Sequence, residues 1–358
     1  MKKLLAILLL IAVTIPLVGC SGKTDKLDLG QVKFDSANYN NTYSFPSFHA
    51  DGDTVLYTSE DWYSTQLFAY QNQVSTKLFE SADFSDEYFQ GSFWGIDQSI
   101  YFRTNSKEGE EAHIYRYDLV SQTHTKLLST EWLYEWMVIG DYIAYEISPS
   151  DDSARYDLYV YSMDRQESAL VCEDIWSFGI VGGCLRYLYV TDTDELNYCE
   201  YDWDTQESAL FFSIHPTKHR FHTYYNFTEN YLIGFTLYEE SAEFSVYSAD
   251  GSCNVYTLPR AIQEFVAGDQ FAYAVCYNTN ESDYSMIKHE DNGIYRIDLS
   301  DGTYEALDCS VNRGSSIYTV SDDLIYILQI KQRFIGPSAT LVYLFDFSTR
   351  TQTKVFQY

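Results

Sequence analysis

Three groups of side chains in this sequence have the types and spacing to hold a ligand. The first is His215-Pro-Thr-Lys-His-Arg-Phe-His222, which brings His215, His219 and His222 close in sequence. Neutral imidazoles ligate zinc and related transition metals. Histidines four apart converge on one metal only on a helix, and Pro216 and Thr223 argue against a long one. The plainer reading is a solvated, locally basic loop that suits contact with an acidic ligand. The second group is acidic: Asp192-Thr-Asp-Glu195 and Asp202-Trp-Asp204 are similar to pieces of calcium loops. They lack the twelve-residue EF-hand spacing with its central Gly and closing Glu, and Asp is common in hairpin turns. The third group is aromatic. Trp132, Tyr134, Trp136 and Trp176 could stack on sugars or grip peptide side chains, or could pack between structural units. Catalytic signatures such as Gly-x-Ser-x-Gly, His-Glu-x-x-His and phosphate-binding loops give no convincing match. Carboxylates are too numerous for a glycosidase-type pair to be picked out. No metal or other cofactor is expected.

One further residue carries chemistry of another kind. Residues 1–20 read MKKLLAILLLIAVTIPLVGC. Lys2 and Lys3 precede an apolar run too short and too weakly flanked for a permanent span. The end, Leu17-Val18-Gly19-Cys20, resembles the bacterial lipobox. That resemblance implies a diacylglycerol on the Cys20 thiol and cleavage before it. Residues 1–19 then form a lipoprotein signal peptide, and residues 20–41, polar and without periodicity, a flexible tether. Residues 42–358 remain for the fold. The net charge is -29, or -31 once Lys2 and Lys3 leave with the leader. Nucleic acid binding needs clustered Lys and Arg, so it is excluded as the main task. Export permits disulfides. Cys172, Cys184, Cys199, Cys253, Cys276 and Cys309 show no C-x-x-C spacing, and their pairing stays open.

The elements that must position these residues recur. Ile114-Tyr-Arg-Tyr-Asp-Leu119, Leu158-Tyr-Val-Tyr-Ser-Met163, Leu196-Asn-Tyr-Cys-Glu-Tyr201, Ile294-Tyr-Arg-Ile-Asp-Leu299 and Leu341-Val-Tyr-Leu-Phe-Asp346 are each followed by a polar turn and a second apolar stretch. Each is a period-two strand, a turn and another strand. Hairpins of similar type precede them, as in Trp136-Met-Val-Ile-Gly-Asp-Tyr-Ile-Ala-Tyr-Glu146. The unit is four antiparallel strands, A to D. Such units at this period mark an all-β fold, a single β-propeller of four-stranded antiparallel blades. Seven units fit, with six or eight open. Residues 351–357 supply the outer strand of the last unit, which leaves residues 31–34 as an optional extra clasp.

The Ile-Tyr-x-x-Asp-Leu rhythm resembles that of bacterial surface lipoproteins with TolB-like, WD40-like or low-density-lipoprotein-receptor-related propeller repeats, a domain of unknown function. The resemblance implies a propeller and no named activity. The WD40 Gly-His and Trp-Asp signatures are missing. Long B–C and D–A connections share one face, and short turns share the other. Long loops on a rigid scaffold carry binding residues. The expected function is therefore a lipid-anchored extracytoplasmic module, on the cell membrane, that binds a protein, peptide or glycan on its loop-rich face without catalysis. Trp132, Trp136, Trp176, His215, His219 and His222 are the candidate contacts. Two alternatives remain. An extracellular hydrolase or lyase requires a buried carboxylate or His pair with shifted pKa at the channel mouth. An envelope-assembly partner requires a large apolar patch on the side of the ring.

Overall fold

The computed structural model describes residues 27–34, 48–51, 54–60, 65–71, 74–84, 86–109, 111–148, 156–193, 195–215, 224–238, 241–258, 261–277, 293–307, 309, 315–321, 323–331 and 339–357. Cys20, His219 and His222 lie outside them.

Among the described residues, twenty-seven strands follow one another as antiparallel meanders. The first unit holds β1 (Phe48–Asp51), β2 (Thr54–Glu60), β3 (Thr65–Gln71) and β4 (Val74–Glu80). The second holds β5 (Glu87–Ile96), β6 (Ser99–Ser106), β7 (Glu111–Asp118) and β8 (Thr123–Glu131). The third and fourth run through β9 (Leu133–Ile139), β10 (Tyr142–Ile147), β11 (Tyr156–Ser162), β12 (Glu167–Val181), β13 (Cys184–Val190), β14 (Leu196–Asp202) and β15 (Glu207–Ile214). The fifth holds β16 (Tyr224–Phe227), β17 (Tyr231–Leu237), β18 (Ala242–Ser248) and β19 (Cys253–Leu258). The sixth holds β20 (Ala261–Ala267), β21 (Phe271–Tyr277), β22 (Gly293–Asp298) and β23 (Tyr304–Ala306). The last holds β24 (Ser316–Ser321), β25 (Leu324–Lys331), β26 (Ala339–Asp346) and β27 (Thr351–Gln357).

Among the described residues five sheets have four strands and one has seven, so the expectation of uniform four-stranded sheets is corrected. The reason lies in β12. Its residues 167–172 and Ile175 pair with β11, and its residues 175–181 pair with β13, the two sets meeting at Ile175. The outer strand of one unit thus continues as the first strand of the next. The strand turns the corner at Asp174, whose φ of 56° is left-handed, with register shifts on both sides. Such bulges bend a strand without ending it.

Burial grades outward within each unit. In β6 every residue except the two ends is buried, whereas β15 stays exposed until its last three residues. Inner strands are covered on both faces and need apolar side chains on both; outer strands meet water. Apolar clusters fill the spaces between units. Leu56, Leu67 and Phe79 pack on Phe89, Phe93 and Phe102. Further clusters join the second unit to the third, the third to the fourth, the fourth to the fifth, the fifth to the sixth and the sixth to the last. One more cluster joins the ends of the chain. Val55 and Tyr57 of the first unit pack on Tyr326, Leu328 and Val342 of the last.

The turns explain the recurring Asp. Asp118 accepts hydrogen bonds from the Ser121 N–H and hydroxyl, Asp298 from those of Ser300, and Asp346 from those of Ser348. The carboxylate closes the turn after the third strand. Those bonds hold Asp118 and Asp346 below the usual carboxylate range. Asp202 does the same for Asp204 N and Thr205 N at 2.9 and 2.8 Å, so its carboxylate serves the turn.

The stretch read as a tether includes a docked segment. A short 3-10 turn spans Leu29–Gln31, and Leu29, Val32 and Phe34 are buried in the cluster between the first two units. Phe34 and Asp97 exchange backbone hydrogen bonds of 2.8 and 2.9 Å. Gln98 Nε2 donates to Gly30 O at 2.7 Å.

Candidate functional site

The first strands of neighbouring units meet: β1 touches β5, β9 touches β12, β12 touches β16, and β16 and β20 touch in turn, then β20 and β24. Unusually for strands enclosed by apolar clusters, they carry buried or half-buried polar groups, among them Ser92, Glu135, Ser177, Asn226 and Glu264. Both amide atoms of Asn226 lack a hydrogen-bond partner among the described residues.

The third unit concentrates this feature. In β9, Trp136 pairs with Tyr145 and Leu133 pairs with Ile147. Two residues, Tyr134 and Glu135, therefore stand opposite the single Glu146. This bulge sets two carboxylates side by side across strands, an arrangement that like charges oppose. Glu146 is only 2% exposed. It pairs with Leu158, and the buried Ala144, Leu158, Ile175 and Phe178 share the cluster on that side. Burial, reinforced by the neighbouring Glu135, pushes the Glu146 carboxyl well up. Burial raises Glu135 to about 7. Among the described residues no N–H, hydroxyl or cation is recorded against the carboxylate of Glu146, and buried polar groups are rarely left so.

Two stacked tyrosine rings lie beside the pair at the same end of the strands. Tyr134 and Tyr156 stack with centroids 4.4 Å apart. Tyr156 is pushed to about 12, by burial first and then by Tyr134, Glu146 and Glu135, which places all four together. Trp132, at the junction of β8 and β9, is 46% exposed and has a left-handed φ of 55°. A bulky residue seldom holds that conformation. Its carbonyl accepts from Ser148 N at 3.2 Å, which ties it to the end of β10. Arg103 of β6, buried and brought down to about 10 by that burial, donates through Nη1 to Tyr134 O at 3.2 Å. Its Nε donates to Asn105 Oδ1 at 2.9 Å. Arg103 thus braces the bulge from the neighbouring unit.

A second polar cluster sits within the second unit, on β5 to β8. Glu87 accepts from Lys126 Nζ, Tyr115 Oη and the Thr104 hydroxyl. Burial opposes its ionisation, but these hydrogen bonds outweigh it and lower its pKa. His113 Nε2 lies 3.5 Å from Glu87 Oε1, and its Nδ1 lies 2.8 Å from Ser129 Oγ. Every partner here is satisfied, which marks a structural knot.

The residues expected from sequence divide. Trp132 is exposed at the site. Trp136, 2% exposed, is core between the second and third units, with its indole N–H directed at Ser92 Oγ. Its neighbours on β9 are buried on the same side, so its apolar ring completes that interface. Trp176 is partly buried against the cluster joining the fourth and fifth units. His215 is exposed and pairs with Glu195 through Nδ1 at 3.0 Å, away from Trp132 and Trp136 in the pairing order. The six cysteines beyond Cys20 form no disulfide, and all six lie within the described residues. Among the described residues no helix is long and apolar enough to cross a membrane. Glu135 and Glu146 escaped the sequence reading. The available signal was a Glu inside the otherwise apolar and aromatic run Tyr142–Ile147.

No family model matches the chain, and no curated protein matches it. Solved structures do. The β-propeller domain of the Trilobed protease from Pyrococcus furiosus aligns over 89% of this chain and 97% of its own, at TM-score 0.55 and 12% identity. An uncharacterised protein from Listeria monocytogenes aligns over 90% and 96%, at TM-score 0.50 and 12% identity. An acylaminoacyl peptidase from Pyrococcus horikoshii aligns over 91% of this chain at TM-score 0.50 and 11% identity; this chain spans 54% of that one. At such identities the likeness is one of fold: a β-propeller-like arrangement.

Proposed function

We propose that this chain is a closed seven-bladed β-propeller, tethered outside a membrane through a lipid on Cys20, that binds a ligand at the loop-rich end of its second to fourth units. The apolar cluster between the first and last units supports closure. The division of β12 into two paired halves supports seven units. The lipobox-like end at Cys20 supports the anchor. One observation carries the binding site. The paired carboxyls of Glu135 and Glu146 sit beside the half-exposed Trp132 and Tyr134, with no protein partner recorded for the buried one. Burying such a group unsatisfied costs stability and is retained where a ligand uses it. The ligand classes that fit an aromatic and carboxylate mouth are a protein, a peptide or a glycan.

The test is capture from native envelope extract by the delipidated protein, run beside a glycan array. Wild type and Trp132→Ala/Tyr134→Ala are compared. The variant is expected to lose the ligand while keeping its fold, by circular dichroism. Equal capture by both would remove this end of the molecule as the binding site.

The carboxyl pair also supports a second reading, a hydrolase acting on extracellular polymer. One acid near neutrality beside a second carboxyl is the pairing that general acid–base chemistry uses. Release of new reducing ends or new amines from an envelope polymer, abolished by Glu146→Gln, would favour it over binding alone.

A further inference from the structure

We infer that the mouth formed by Trp132, Tyr134, Glu135, Glu146 and Tyr156 is a receptor for an organic ammonium group, such as a lysine side chain or a polyamine. This deepens the binding reading above and rests on it. Three observations point the same way. First, Glu146 is almost wholly buried yet has no donor recorded against it among the described residues. A structural carboxylate at that depth ordinarily receives two or three hydrogen bonds, as Glu87 does in the neighbouring unit. Secondly, the bulge in β9 sets Glu135 against Glu146. Two carboxylates at one spot repel unless a positive charge or a shared proton sits between them. Thirdly, stacked tyrosine rings lie beside the pair, Tyr134 on Tyr156, and the half-exposed Trp132 is tied by its carbonyl to Ser148 N at the end of β10. Aromatic faces attract cations through their quadrupole, and more so where water is excluded. Carboxylate and aromatic groups together match an ammonium on a carbon chain. A bare divalent metal would gain little from the rings.

The site then couples binding to proton release. Without a ligand the pair holds protons above the ordinary carboxylate range. An ammonium favours the ionised pair, so binding expels protons and tightens as pH rises from about 5 to about 8. At the same end of the strands packed around the pair lie further titratable or charged groups: Tyr134 on β9, Tyr156 and Asp157 on β11, Cys172, Glu173 and Asp174 on β12 and Arg103 on β6. Asp157 accepts from Asp174 N at 3.2 Å, and Asp174 is exposed.

The experiment is calorimetric titration of the full-length protein in detergent at about 0.15 M salt, with tri-lysine as probe. The same peptide acetylated on every amine, spermidine and calcium chloride are titrated in parallel. Tri-lysine is expected to bind at least tenfold more tightly at pH 8 than at pH 5.5. The heat should vary with buffer ionisation as protons are released. The acetylated peptide should not bind. Glu146→Gln and, separately, Tyr134→Ala should each weaken binding tenfold or more, while Glu305→Gln in the sixth unit leaves it unchanged. Tri-lysine without spermidine would assign the ammonium to a protein partner, and both together to amines in general. Equal binding of the acetylated peptide overturns the inference. So does equal loss in Glu305→Gln, which would show nonspecific attraction to an acidic protein. Calcium binding that depends on Glu146, without any ammonium response, overturns it too. A glycan captured through Trp132 and Tyr134 with no response to any amine would refute the ammonium site and leave the binding face standing.

Discussion

At the scale of single residues the molecule contrasts two kinds of buried carboxylate. Glu87 has donors on several sides and is held ionised. Burial pushes the carboxyls of Glu135 and Glu146 up, Glu146 further because of the neighbouring Glu135. This difference has a sign. A carboxyl whose folded pKa is raised binds more protons folded than unfolded, so stability falls as pH rises from the unfolded value to the folded one. For Glu135 that window runs from 4.5 to about 7, and Glu264, raised to about 7 mainly by burial, adds to it. Glu87 acts oppositely, losing its contribution as pH falls below the usual carboxylate value. Replacing Glu146 by Gln should therefore stabilise the protein at pH 8, by about 1–3 kcal/mol, and change little at pH 4.5. Urea midpoints at the two pH values measure this. Equal effects at both would mean that Glu146 is not held neutral by its surroundings.

At the scale of elements, bulges recur where first strands need to turn or re-aim. Register shifts interrupt β5, β9, β12 and β20 against their partners. In β9 the shift builds the carboxyl pair. The docked segment before β1 is another element-level device. It relies on Gly95 of β5, where an added Cβ would fall 2.6 Å from the Phe34 ring. Gly95→Ala should push Phe34 out and destabilise the protein by about 1–3 kcal/mol. Hydrogen exchange should rise at residues 29–34 and at their contact, Gln98. Unchanged protection there would show that the segment does not depend on the space left by Gly95.

At the scale of the whole molecule the ends matter most. All four strands of the last unit come from β24 to β27, and side-chain packing joins the last unit to the first. Leu328 is buried at that seam. Leu328→Ala should cost about 2–5 kcal/mol and shift one cooperative denaturant transition. A separate early transition confined to the first or last unit would show that the seam does not bind the ring into one unit. The anchor is tested by Cys20→Ser, which should move the folded protein from the membrane to the soluble fraction. Continued membrane association would contradict lipid attachment at Cys20.

The repeat was legible in the sequence because it is local. Period-two strands, the Asp that closes each third-strand turn and the outer strand at residues 351–357 are set by neighbouring residues, and β27 spans the same residues. The all-β class follows from the same patterns. The sequence left Trp136 open between packing and binding, and it offered residues 31–34 as a clasp without showing that residues 27–34 dock between the first two units. Both depend on what a neighbouring unit presents across an interface. The carboxyl pair was hidden for a related reason. The sequence holds 52 acidic residues, and composition cannot mark two of them. Glu135 and Glu146 lie eleven positions apart. An inserted residue in β9 brings them face to face, and the apolar wall of the next unit takes the water away. The sequence by itself determined the strands, their turns and the candidate aromatic residues. Tertiary structure decided which aromatics remain open to a ligand and which carboxylates lose their solvent, because both depend on packing between distant parts of the chain.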